Sequence, residues 1–154
     1  MYTTLVAFHV LAAAVWIGGS IALVAATVPT LRTLPPEQRA DMVRLLGRRW
    51  RPLGWGSLAV LGASGIWLAF GYWGADDADV LFHTGQGRIL IAKAVLYICL
   101  LVTVVLHDVV LGPRLNRQIR EGAPRTLLRP MQIVGWASFA LTLALPVLGV
   151  VLTT

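Results

Sequence analysis

The sequence predicts an all-α integral membrane protein, a four-helix bundle whose successive helices run up, down, up and down. Of its 154 residues, 57% are hydrophobic and 13% are charged, which is about half the charged fraction of a soluble domain. The mean hydropathy is +0.75. Four apolar runs, separated by short linkers, are each long enough to cross about 30 Å of hydrocarbon as a helix.

The four predicted spans cover about residues 2–28, 53–73, 89–111 and 127–152, so residues 1–154 form a single transmembrane domain. The first span is not expected to be a cleaved signal peptide, because it lacks a basic start and its apolar run is too long. Short linkers favour antiparallel neighbours. In the first linker, "PPEQRADMVRLLGRRW" predicts either an amphipathic helix on the inner surface or a solvated basic segment. Pro35 and Pro36 would begin that helix.

Charge differs sharply between the linkers. Arginines concentrate in the first and third: Arg32, Arg39, Arg44, Arg48, Arg49, Arg51, then Arg114, Arg117, Arg120, Arg125 and Arg129. The middle linker carries Asp76, Asp77 and Asp79. The positive-inside rule predicts a multi-pass protein of the plasma (inner) membrane with both termini outside the cytoplasm. Basic cytoplasmic loops explain the net charge of +6, so lipid and not nucleic acid is the predicted partner.

Aromatic residues at the span ends are predicted to lie at the two membrane interfaces. Tyr2, Tyr72 and Trp73 would form the outer belt, and Trp50 and Trp55 the inner one.

A weak internal repeat relates the two halves as pseudo-symmetric helix pairs. "VPTLRTL" followed by "RPLGWGS" resembles "LGPRLNR" followed by "RPMQIVGWAS". Aligning Pro29 with Pro113 superposes His9 on Lys93, since each lies 20 residues before its proline. Parallel repeats about an axis along the membrane normal are an established architecture.

His9 and Lys93 are ionisable residues at nearly equal depth, roughly 10 Å inside the outer boundary by helix rise. Diagonal helices in such a bundle would lie roughly 12–14 Å apart, a gap that suits a flat cofactor ligated from both sides. Trp16 shares a helical face with His9, and Tyr97 shares one with Lys93, so both are predicted cofactor contacts. The alternatives are that Lys93 snorkels to the interface and that His9 hydrogen-bonds a neighbouring helix.

Other candidate ligands are weaker. His107 and Asp108 lie near the inner end of the third span. They are interpreted either as a polar helix terminus or as a second site that binds a metal, a proton or a quinone. His83, in the outer linker, is expected to be solvated, and Met1 is an outer sulfur donor. Glycines of the second and fourth spans, among them Gly62, Gly65, Gly135 and Gly149, indicate close helix packing. The single cysteine, Cys99, excludes an internal disulfide.

At "FHVLAAAVWIGG", "RPLGW", "GRILIAKAVL" and "LHDVVLGPRL", the chain resembles a small member of the CopD family, named for copper resistance protein D. It is more distantly similar to HemJ-type protoporphyrinogen oxidases. The first resemblance implies copper handling across the inner membrane. The second implies haem b held by His9 and Lys93. The small, Arg-rich linkers and the "LHD" element depart from the HemJ pattern.

These residues lead to a first hypothesis of a haem-b-binding membrane protein with a redox or electron-transfer role and His9 and Lys93 as axial ligands. Copper transport, with capture by Met1, His9 and His83, is the alternative, although Cu(I) prefers sulfur ligands that are scarce here. A non-catalytic assembly subunit is the third. No catalytic residue is assigned, and whether the chain is an enzyme stays open. Three partners also stay open: a quinone, a redox protein and a second copy of the chain.

Overall fold

The computed structural model describes residues 1–121 and 126–153. Arg125 of the predicted third linker and Thr154 lie outside the described residues. The regular structure of the described residues is entirely helical, which confirms the all-α fold class. Four helical stretches are long and apolar enough to cross a membrane: Tyr2–Arg32, Asp41–Tyr72, Gly85–Gln118 and Leu128–Val150. The chain divides into two compact units, Met1–Asp76 and Asp77–Thr154, and the single domain stays a prediction.

The first unit is an antiparallel helix pair. Its first long helix comprises α1 (Tyr2–Ala22), a π-helical turn π1 (Leu23–Thr27) and α2 (Val28–Arg32), and its second is α3 (Pro36–Tyr72). Three contacts show the direction of the pair: Tyr2 packs on Tyr72, His9 bonds to Ser64, and Trp16 stacks on Trp50. Residue numbers rise along the first helix as those of their contacts fall along α3, so the two helices are antiparallel.

The second unit repeats this plan. A short helix α4 (Ala78–His83) precedes α5 (Gly85–Val105), the π-helical turn π2 (Leu106–Leu111) and α6 (Gly112–Arg120), and α7 (Leu128–Thr153) forms the other long helix. Lys93 of α5 faces Gly149, and His107 of π2 faces Gly135. The later residue of the α5–α6 stretch therefore faces the earlier residue of α7. This helix pair is also antiparallel.

A proline follows each π-helical turn, although Pro52 and Pro146 lie inside α3 and α7 without such a turn. The amide of Val28 bonds to the carbonyl of Leu23, and the amide of Gly112 bonds to the carbonyl of His107, five residues back in both cases. Pro29 and Pro113 follow directly. Proline has no N–H, and its ring clashes with the carbonyl four residues earlier, which the wider turn relieves. The two turns lie at equivalent positions of the predicted repeat.

The helix bounds correct the predicted linkers. The basic segment before the second span begins at Pro36 as expected but runs without a break into the span, so α3 is one helix through Pro52. Arginine lowers hydropathy without lowering helix propensity, which is why the apolar pattern alone placed the start near residue 53. The middle linker likewise contains α4, with Asp77 as its N-cap accepting from the amide of Asp79.

The core of each unit is small. Among the buried residues are Ala12, Trp16, Ser57, Leu58 and Ser64 of the first unit, and Leu100, Val104, Leu115 and Thr142 of the second. Many large apolar side chains on the four long helices stay exposed, for example Leu11, Ile66, Ile98 and Ile133. Outward apolar faces on helices of this length suit a lipid environment.

Candidate functional site

His9 lies on α1 and is held by a serine of α3. Its Nδ1 lies 2.8 Å from Ser64 Oγ. The Ser64 hydroxyl donates its proton to the Val60 carbonyl at 2.5 Å, one turn earlier in the same helix. Because that hydroxyl has only one proton, it accepts from His9 Nδ1–H. The neutral imidazole therefore carries its lone pair on Nε2, the arrangement typical of a metal-ligating histidine.

A glycine borders the His9 ring. A Cβ on Gly65 would lie 3.5 Å from His9 Cε1 and 4.0 Å from Nδ1, an ordinary van der Waals contact. The imidazole therefore rests against the bare backbone of α3, while Ser64 fixes its orientation. Ser64 is buried, so the hydrogen bond that sets the tautomer is protected from competing donors.

Trp16, the other predicted cofactor contact of the first unit, lies in a helix-packing contact. Its ring stacks on Trp50 with 6.2 Å between centroids and 29° between planes. A Cβ on Gly54 would lie 3.2 Å from the Trp16 ring, so the two helices approach closely here. Trp50, predicted at the inner interface, therefore packs within the helix pair, while the cofactor role of Trp16 stays a prediction.

Lys93 repeats the geometry of His9 in the second unit. A Cβ on Gly149 would lie 3.7 Å from Lys93 Nζ. Gly149 follows Lys93 by 56 residues, the spacing that also separates Gly65 from His9. Each unit thus sets a nitrogen-bearing side chain of its first helix against a glycine of its second. Tyr97 lies one turn beyond Lys93 and is partly buried.

His107 is oriented by its neighbour in sequence. Its Nδ1 lies 2.8 Å from a carboxylate oxygen of Asp108, and both side chains are partly exposed, at 35% and 28%. A Cβ on Gly135 of α7 would lie 3.7 Å from Cδ2 and 3.8 Å from Nε2. The Nε2 edge of the ring therefore faces a backbone without a side chain.

The two remaining candidates are exposed. His83 Nδ1 lies 3.3 Å from Asp79 Oδ1, with the two side chains 76% and 93% exposed. Met1 is 80% exposed at the start of α1, and Cys99 is exposed on α5. Within the described part of the chain, no three His, Cys, Asp or Glu residues group closely enough to hold a metal ion.

The sequence identified the histidines and Lys93 but not the residue that orients His9. Ser64 was missed, although it adjoins Gly65 in a stripe of small residues that was interpreted as helix packing. The equal 56-residue spacings from His9 to Gly65 and from Lys93 to Gly149 could have singled out both glycines. His9 and Lys93 belong to different units, so their joint ligation of one iron stays a prediction.

The family model of CopD, described as Copper resistance protein D, matches residues 44–152 of the chain. That range contains His83, Lys93 and the His107–Asp108 pair, whereas Met1 and His9 precede it. No curated protein and no solved structure matches the chain.

Proposed function

This chain belongs to the CopD family, and we propose that it handles copper within the membrane, with His9 as an imidazole ligand. The family match supports copper as the metal. The observation that carries the role of His9 is its hydrogen bond to Ser64, which directs the lone pair onto Nε2. Imidazole is a good ligand for copper.

The donor set favours Cu(II) over Cu(I). Cu(I) selects thiolate and thioether ligands, and the chain holds one cysteine and three methionines. Imidazole nitrogen with water or carbonyl oxygen suits Cu(II). The carboxylates of Asp76, Asp77 and Asp79 in the middle linker would raise the local concentration of a cation at that side of the membrane.

The test is the copper content of the purified full-length protein, together with the copper tolerance of cells that lack it. We expect bound copper, and a deletion phenotype that wild type restores and His9→Ala does not. Phe8→Ala is the matched control, since it alters an exposed residue of the same helix turn. Copper content and tolerance that are equal in wild type, His9→Ala and Phe8→Ala would overturn the role of His9.

Haem b is the second candidate, because each unit offers one nitrogen donor against an equivalent glycine. An imidazole nitrogen and a neutral amine nitrogen can each donate a lone pair to haem iron. His9 and Lys93 would hold its iron, with Trp16 and Tyr97 beside it, and haem would supply one-electron chemistry. A quinone or a redox protein would then be the electron partner.

Absorption spectra separate haem from copper. If haem is bound, His9→Ala should lose most of it, while Lys93→Ala should become high spin and bind carbon monoxide when reduced. Lys93→Arg should resemble Lys93→Ala, because a guanidinium stays protonated and cannot donate a lone pair. Colourless protein from a haem-sufficient host would exclude this candidate. An assembly subunit, the third hypothesis, predicts that His9→Ala and Lys93→Ala change stability alone.

A further inference from the structure

An open groove lies between α1 and α3 of the first unit. Its volume is about 290 Å³, and its lining includes Leu11 and Val15 of α1 together with Leu53, Gly56 and Val60 of α3. These residues are apolar, and Leu11 is 62% exposed. Both helices are long and apolar enough to cross a membrane, so the groove is accessible to lipid chains.

Gly56 leaves the groove open at its centre. Nothing lies within 4 Å of a Cβ built on this glycine. Leu53 and Val60, about one turn to either side, are 54% and 42% exposed. The groove therefore combines apolar side chains with a stretch of bare backbone, a surface that a flexible hydrocarbon chain can cover.

Arg49 lies at the end of the groove nearest the basic segment 36–51. Leu53 and Gly56 follow it by four and seven residues, so the three share one face of α3. The next residue, Trp50, stacks on Trp16 of α1, which shows that α1 accompanies α3 to this level. Because Cα–Cβ bonds tilt toward the start of their helix, the Arg49 side chain leans away from the apolar lining and toward the membrane interface.

The length of this face matches one leaflet of a bilayer. Val60 follows Arg49 by 11 residues, roughly 16 Å by helix rise. Half of a hydrocarbon core of about 30 Å is about 15 Å. A lipid whose phosphate lies at Arg49 would therefore place its acyl chain along the groove.

The charge at this end suits a phosphate group. Arg49 is exposed, and its guanidinium contacts no carboxylate among the described residues. A guanidinium can donate two parallel hydrogen bonds to a phosphate, which a lysine ammonium cannot do. Clusters of basic residues next to a spanning helix are typical of anionic lipid binding.

We propose that this groove is a binding site for an anionic phospholipid, with one acyl chain between α1 and α3 and the phosphate at Arg49. The site is separate from His9 and does not depend on the proposed copper function. It adds a specific lipid position to a surface that would otherwise be covered by exchanging lipids.

Native mass spectrometry of the full-length protein, titrated with phosphatidylglycerol or with phosphatidylcholine of the same acyl chains, tests the charge. We expect wild type to bind phosphatidylglycerol more tightly. Arg49→Gln should reduce that preference by about fivefold, the factor for one basic residue at an anionic surface. Arg48→Gln is the matched control, because it removes the same charge from an exposed neighbour that lies on a different face, and it should keep the preference.

Gly56→Leu tests the groove. The open space at this position lets the side chain enter without a clash, so the fold should persist, as thermal unfolding can verify. We expect both lipids to bind about tenfold more weakly, the factor for displacing roughly two methylene groups of the chain. Gly47→Leu is the control, since a Cβ there also meets nothing within 4 Å but the residue does not line the groove.

Three results would overturn the site. Equal wild-type affinities for the two lipids, or equal losses of preference in Arg49→Gln and Arg48→Gln, would show that Arg49 does not select the phosphate. Lipid binding in Gly56→Leu that equals wild type would show that the groove does not hold the chain. A change of oligomeric mass in Gly56→Leu, with lipid binding unchanged, would assign the groove to a second copy of the chain.

The same samples separate this site from the copper function. We expect Arg49→Gln and Gly56→Leu to keep the copper content of wild type, and His9→Ala to keep its lipid preference. Lipid selectivity that disappears in His9→Ala but persists in Arg49→Gln would contradict the assignment of the phosphate to Arg49.

Discussion

Ser64 decides which nitrogen of His9 carries the proton, so it is a positioning residue for the proposed ligand. Ser138 in α7 is its matched control, because its hydroxyl also bonds one turn back, to the Val134 carbonyl at 3.0 Å. We expect Ser64→Ala to weaken copper binding at His9 by about 10–100-fold, and Ser138→Ala to leave it unchanged. Equal Cu(II) affinities in the two variants would show that the serine does not position the ligand.

Gly18 and Gly19 are adjacent glycines of α1 with opposite surroundings. A Cβ on Gly19 would overlap the Trp50 ring, whereas nothing lies within 4 Å of one on Gly18. Since Trp50 also stacks on Trp16, its ring has little room to move. We expect Gly19→Ala to destabilise the fold by about 1–3 kcal/mol through overpacking, and Gly18→Ala to be neutral or stabilising by up to about 1 kcal/mol. Thermal unfolding in detergent measures both, and a lower Tm for Gly18→Ala than for Gly19→Ala would contradict this packing.

At this scale the sequence singles out ionisable residues in the spans but does not predict what they contact. His9 and Lys93 stand out because ionisable groups are rare in apolar spans. Ser64 and Trp50 do not stand out, since their contacts depend on how α1 and α3 are aligned along their length. Apolar composition does not determine that register, because many alignments bury similar residues.

At the scale of elements, the two π-helical turns share one backbone geometry but carry different side chains. Pro29 and Pro113 directly follow them, but only π2 carries an ionisable pair. We expect Pro113→Ala, which restores an amide donor, to shift π2 toward α-helix and to break the His107–Asp108 hydrogen bond. Pro29→Ala should leave that bond intact. Imidazole ¹⁵N chemical shifts of labelled protein report the tautomer of each histidine, and an unchanged His107 signal in Pro113→Ala would contradict this account of the turn.

Helix positions were predictable and helix lengths were not. The four apolar runs identified four spanning helices, but α3 continues through the basic segment from Pro36 to Tyr72. Arginine, leucine, methionine and glutamine are all good helix formers, so a change from apolar to basic residues moves the helix from lipid to the interface without ending it. The N-terminal boundary was predictable because Pro35 and Pro36 mark a helix start.

The chain, at the scale of the whole molecule, repeats one helix-pair arrangement twice, with arginines in the first and third linkers and aspartates in the linker between the two copies. The positive-inside rule then predicts that the middle linker faces outward. In a Cys99→Ala background we expect Asp76→Cys to react with a membrane-impermeant maleimide added to intact cells, and Arg44→Cys to react only after lysis. The reverse pattern would invert the topology and place His9 at the cytoplasmic end of its span.

The copper content and the absorption spectrum of one purified sample test the central claim most directly. The protein should carry copper whose amount falls in His9→Ala, and should show no Soret band. A Soret band with b-type bands on reduction, in a sample without copper, would contradict the copper function and establish haem instead.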